Sequence, residues 1–66
     1  MAVAKHIEVT AGSKKGLEDA INQGIAKAAD SLENIESVWV KDIKATVKDG
    51  KLHEWRVNMT VTFVLK

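Results

Sequence analysis

The 66-residue chain has no cysteine, no proline and no tyrosine, one phenylalanine and four glycines. Without cysteine there are no disulfides and no thiolate zinc sites. His6 and His53 are the two histidines, too few to suggest a structural metal site. An excess of one charge is also missing: ten Lys/Arg stand against nine Asp/Glu, a formal net charge of +1 with no basic block. A nucleic-acid surface carries clustered positive charge, so no nucleic-acid partner is expected. The longest apolar runs fall far short of a membrane span. Met1-Ala2-Val3-Ala4 is followed at once by Lys5-His6, which is not the pattern of a secretory leader. The expectation is a cytoplasmic protein with no membrane partner.

What is present is a composition 45% hydrophobic and 29% charged, that of a globular domain, here a single unit over residues 1–66. Stability is its difficulty. Surface scaling gives roughly 4,100 Å² accessible when folded and about 10,400 Å² unfolded. If about three-fifths of the buried area is apolar, its burial contributes on the order of 95 kcal/mol. Ordering the chain costs on the order of 100 kcal/mol. A lone monomer comes out near zero, and with disulfides and structural metal excluded the remaining route to stability is association with further copies.

Along the chain, Val3, Ile7 and Val9 fall on one face of a strand over residues 3–10, which Gly12-Ser13 breaks. Ser13 is placed to cap a helix, with Glu18 and Asp19 near its positive end. Leu17, Ala20, Ile21, Gly24, Ile25, Ala28 and Leu32 recur at three- and four-residue steps, marking one amphipathic helix that fades near Asn34. Gly24 lies in the apolar stripe at a propensity cost of about 1 kcal/mol, which a close backbone approach would offset. Ser37–Val47 reads as a strand with Trp39, Ile43, Ala45 and Val47 on one face. Lys48-Asp49-Gly50 reads as a three-residue hairpin loop with Gly50 left-handed, because a two-residue Asp-Gly turn would pair Ala45 with Glu54. Trp55, Val57, Met59, Val61, Phe63 and Leu65 alternate with mostly polar residues, the pattern of a half-buried antiparallel strand. The expected fold is α+β, in the order β-α-β-β, and one helix is too short to cover both long strands of the hairpin.

Chemistry-bearing patterns are sparse. No cysteine nucleophile is present, neither histidine has a dyad partner nearby, and Ser13, Ser31 and Ser37 lack the nucleophile-elbow motif; the chain does not read as an enzyme. Gly12-Ser13-Lys14-Lys15-Gly16 lacks the spacing of a phosphate loop, and reads first as a helix start with exposed lysines where an anion can rest. Val38-Trp39-Val40 is apolar toward both faces of its strand, which points to a subunit interface; packing there is the first reading of Trp39 and direct stacking on a ligand the second. Arg56 and Asn58, with Asp42, Lys44 and Thr46 of the neighbouring strand, form a polar face on which Arg56 offers forked donors.

The helix stretch Glu18-Asp19-Ala20-Ile21 through Gly24-Ile25-Ala26-Lys27-Ala28, the junction Leu32-Glu33-Asn34-Ile35 and the ending Trp55-Arg56-Val57-Asn58-Met59-Thr60-Val61-Thr62-Phe63-Val64-Leu65 resemble the dodecins, over nearly the whole chain. The resemblance implies a three-stranded antiparallel sheet partly wrapping one helix, assembled into a hollow homododecamer. It also implies flavin (riboflavin or FMN) held as stacked pairs between tryptophans of symmetry-related subunits, for storage and buffering rather than turnover. The family's stacking tryptophan aligns with Ser37, and Trp39 follows two residues later on the same strand face, displaced by about 7 Å. A glutamine that bonds the flavin ring aligns with Arg56, and Asp42 matches a polar residue near the pocket. The cofactor-binding residues expected are therefore Ser37, Trp39, Asp42 and Arg56. The alternative is an assembly of the same shape that binds no flavin and holds metal ions or a phosphate-bearing cofactor, using Lys14, Lys15 or axial polar groups.

Overall fold

A computed structural model describes residues 3–66; Met1 and Ala2, which open the stretch weighed as a leader, lie outside them. Strand β1 (Val3–Ser13) leads to helix α1 (Leu17–Ala29), then strands β2 (Ile35–Lys48) and β3 (Lys51–Leu65). The sheet order is β1-β3-β2 with both pairings antiparallel. The strand with the most regular alternation is thus the central one. Its odd side turns toward the helix, and Val57, Met59, Val61 and Phe63 are buried there. The helix answers with Ala20, Gly24 and Ala28, all buried, small residues at four-residue steps that let its axis lie close on the sheet.

Several boundaries differ from the periodicity reading. β1 runs through Gly12-Ser13 instead of breaking there, with Gly12 opposite Arg56 and Ser13 opposite Trp55. The helix begins after Gly16, which has no side-chain cap. Ser13 instead closes the turn before it: its hydroxyl oxygen accepts from the amides of Lys15 (3.0 Å) and Gly16 (3.4 Å) and its proton goes to Asp19. The helix also stops earlier than Asn34, at Ala29 with Asp30 as cap. Asn34 takes a left-handed φ of 61° at the entry to β2, where its carbonyl accepts from the Val64 amide. At Gly24 the close approach is by a side chain rather than a backbone: a Cβ there would stand 2.3 Å from Met59 Cε.

The hairpin is the largest correction. Asp49 and Gly50 form a two-residue turn with φ of 53° and 73°, the positive pair of a type I′ turn whose twist suits the flanking strands. The register nevertheless keeps Ala45 opposite Trp55, because Thr46 faces Glu54 while Val47 faces Leu52, leaving His53 as an extra residue. One bulge does the work assigned to a longer loop. Further bulges at Glu36 and Lys41 shift the phase of β2. Val38 and Val40 therefore share the helix side with Ile43 and Ala45, and Trp39 does not: it stands opposite Thr60 on the other face.

The hairpin outruns the helix. Its strands have 14 and 15 residues, whereas a 13-residue helix is about 20 Å long. Extents of 51 × 19 × 13 Å and a radius of gyration of 13.6 Å describe an elongated subunit, since a compact chain of this length is expected near 10.8 Å, roughly. Ile43, Val47 and Leu52 remain 52%, 69% and 57% exposed. The subunit exposes 4961 Å² against the roughly 4,100 Å² expected of a compact monomer. The excess is about the area one partner gives to a standard interface, roughly 800 Å².

Candidate functional site

The sheet face turned away from the helix gathers the polar half of every strand. β1 contributes His6, Glu8 and Thr10; β3 contributes Arg56, Asn58, Thr60 and Thr62; β2 contributes Ser37, Trp39, Asp42 and Lys44. All four residues expected to hold a cofactor, Ser37, Trp39, Asp42 and Arg56, lie on this face. They are not gathered at one point. Ser37 is level with Thr62, and Arg56 stands six residues along the central strand, about 20 Å away at strand rise.

The bulge at Lys41 keeps Trp39 and Asp42 on one face, opposite Thr60 and Asn58, with Ser37 opposite Thr62 on one side and Arg56 the next position beyond Asn58 on the other. The Trp39 side of the sheet is wet yet carries a large ring, 66% exposed. Lys41 reaches over it, its Nζ 5.5 Å from the ring centroid and donating at 3.2 Å to Glu8 Oε1. Thr10 Oγ1 donates to Asn58 Oδ1 at 2.8 Å. Glu8, Thr10, Lys41, Asp42 and Asn58 line an open depression of about 240 Å³ on this face. An exposed indole offers one flat surface to a planar aromatic, and the surrounding amide, hydroxyl and carboxylate groups offer both donors and acceptors to its edge. That arrangement fits a flavin ring on Trp39; at Ser37 the face offers a hydroxyl and no ring.

Arg56 is already engaged. Its Nε donates to Glu54 Oε1 at 2.8 Å, and this bond holds the Glu54 carboxyl below its usual range against the opposing effect of desolvation, with Arg56, His53 and Lys14 adding favourable charge. Gly12 makes room for that carboxylate, whose atoms lie 3.2–3.3 Å from where a Cβ would be. Lys14 and Lys15 are exposed, and the amides of Lys15 and Gly16 beside them are taken by Ser13.

Periodicity missed Lys41 and Glu8 as members of the site. Their signal was present in β2, where the helix-side residues Val38, Val40, Ile43 and Ala45 step by two, three and two. A step of three inside a strand marks an inserted residue, and the insertion is what sends Lys41 over Trp39. Glu8 becomes its partner only through the sheet order, 33 residues away in sequence.

The family model described as Dodecin matches residues 3–66. A dodecin from Thermus thermophilus is 33% identical over 64 residues, covering 97% of this chain and 93% of the relative. The crystal structure of a variant of the Thermus thermophilus dodecin superposes with a TM-score of 0.94 at 32% identity, covering 100% of this chain and 98% of that one. A calcium dodecin from Mycobacterium tuberculosis, described as having a novel calcium-binding site, superposes with a TM-score of 0.83 at 26% identity, over 97% of this chain and 91% of that one.

Proposed function

The chain belongs to the dodecin family, and we propose that it is a non-enzymatic cytoplasmic homododecamer that binds, stores and buffers a flavin of the riboflavin or FMN type. The observation that carries the ligand reading is the Trp39 ring, 66% exposed on a polar sheet face, with Asp42 and Asn58 the next pair along that face. An exposed tryptophan on a wet surface lacks an internal packing reason, and a stacked aromatic ligand supplies one. The residues that hold the flavin are Trp39 by stacking and Asp42 by hydrogen bonding, with Ser37 beside them. Arg56, about 13 Å along the sheet from the level of Trp39, is engaged by Glu54 and is not assigned to the ligand on its own Trp39. The flavin supplies an electron-poor ring whose excited state an indole quenches; the protein's part is to bind, orient and shield it.

Assembly is supported by the exposed Ile43, Val47 and Leu52 and by the excess surface of the isolated subunit. The Mycobacterium tuberculosis relative is described as binding calcium. Among the described residues of a single subunit no three carboxylate or histidine groups come together. One experiment tests both halves. Light scattering on purified protein is expected to give a particle of about twelve subunits, and titration into riboflavin and FMN is expected to quench flavin fluorescence. Trp39→Ala is expected to abolish quenching while leaving the particle intact. A stable single subunit overturns the assembly; quenching undiminished by Trp39→Ala overturns the role of that ring.

A further inference from the structure

We infer that Lys41 makes the Trp39 face selective for planar aromatics carrying a phosphate over their neutral counterparts, an inference that rests on the ligand reading above. The bulge in β2 gives the chain one more residue than pairing requires between Val40 and Asp42. The extra side chain goes to the ligand face instead of the helix side, and its ammonium stands 5.5 Å from the Trp39 centroid and 3.2 Å from Glu8 Oε1.

What holds Lys41 there is weak. The Glu8 side chain is 74% exposed and that of Lys41 39%, and exposed ion pairs of this kind contribute little. The cation is thus positioned over the ring by a partner it readily gives up. A neutral ring stacking on Trp39 competes with the ammonium for the same π-face and returns nothing to it. A ring bearing a phosphate lets Nζ exchange the exposed carboxylate for a dianionic group in a charge-assisted hydrogen bond. The other charges at the depression oppose an anion: Glu8 and Asp42 both line it. Lys41 is the cation among the described residues lining the depression, so discrimination in favour of phosphate there depends on it, and removing its charge reverses the sign of the preference.

Riboflavin and FMN differ only by the phosphate, so their fluorescence titrations isolate the effect at low salt with the full chain. Wild-type protein is expected to bind FMN about tenfold more tightly than riboflavin, the scale of one hydrogen bond to a charged group. Lys41→Gln is expected to tighten riboflavin, whose ring no longer competes with the ammonium for the Trp39 face, while FMN weakens to below riboflavin, and Lys41→Arg to retain the preference. Equal affinities in the wild type, or an FMN preference that survives in Lys41→Gln, overturn the inference and leave the flavin reading standing. Quenching of neither flavin by an intact particle is a different result, which overturns the flavin reading and this inference with it. Light scattering on each variant shows that the assembly tested is the same.

Discussion

Gly24 and Met59 form a contact whose energetics can be worked through before any measurement. Replacing Gly24 with alanine gains about 1 kcal/mol of helix propensity. The new Cβ would stand 2.3 Å from Met59 Cε and 3.3 Å from Ala11 Cβ. Carbon atoms in contact sit about 3.5–4.0 Å apart, so the terminal methyl of Met59 has to move by more than an ångström. Met59 is 1% exposed and packed against Ala20 and Val57, so it has no open space to move into. Overpacking of this kind costs about 1–3 kcal/mol, and Gly24→Ala is expected to be destabilising overall in the wild-type background. Met59→Val removes the end of the side chain that clashes, at its own cost of about 1–2 kcal/mol. In that background Gly24→Ala should stabilise, since only the milder 3.3 Å approach to Ala11 Cβ still opposes the propensity gain. The assay is urea denaturation of all four proteins at one subunit concentration, because an assembled protein has a concentration-dependent apparent stability. A change of sign between backgrounds, with coupling of about 1 kcal/mol or more, is the expected result. An equal effect of Gly24→Ala in both backgrounds refutes the packing argument.

Two further outcomes are expected. Val61 is fully buried in the central strand, so Val61→Asp desolvates an unpaired carboxylate and should abolish folding or assembly; a variant of unchanged size and melting behaviour refutes the register of β3. The Asp19 carboxyl is held below its ordinary value of 3.8 first by the Ser13 hydroxyl and then by the Gln23 amide. A depressed folded-state pKa contributes stability that is complete above the unfolded value and disappears as pH falls through the folded one. Denaturation at a series of pH values should therefore show wild type losing stability below about pH 4 more steeply than Asp19→Asn, and parallel curves would remove Asp19 from the account.

Much of the fold was legible in the residues. The helix stripe of Ala20, Gly24 and Ala28 and the alternation from Trp55 to Leu65 each repeat within one element, so local order reveals them. Absence of cysteine and the short chain pointed correctly to an incomplete core, seen in the exposed Ile43, Val47 and Leu52. The hairpin shows where such reading fails. Asp49-Gly50 is by local chemistry a two-residue turn, but with unbroken strands on either side such a turn pairs Ala45 with Glu54 and splits the apolar sets between two faces. His53, an added residue on one side of the ladder, satisfies turn and register together.

The same distinction governs the site. Chain order alone settles that strand, helix, strand and strand follow one another, that no covalent staple holds them, and which side of the last strand is apolar. Packing settles that Trp39 parts from Ile43, that Lys41 lies over its ring, and that Glu8 reaches Lys41 across the central strand. Periodicity is a property of one strand, whereas a bulge reconciles two strands with each other, and every side chain beyond it changes face according to that agreement.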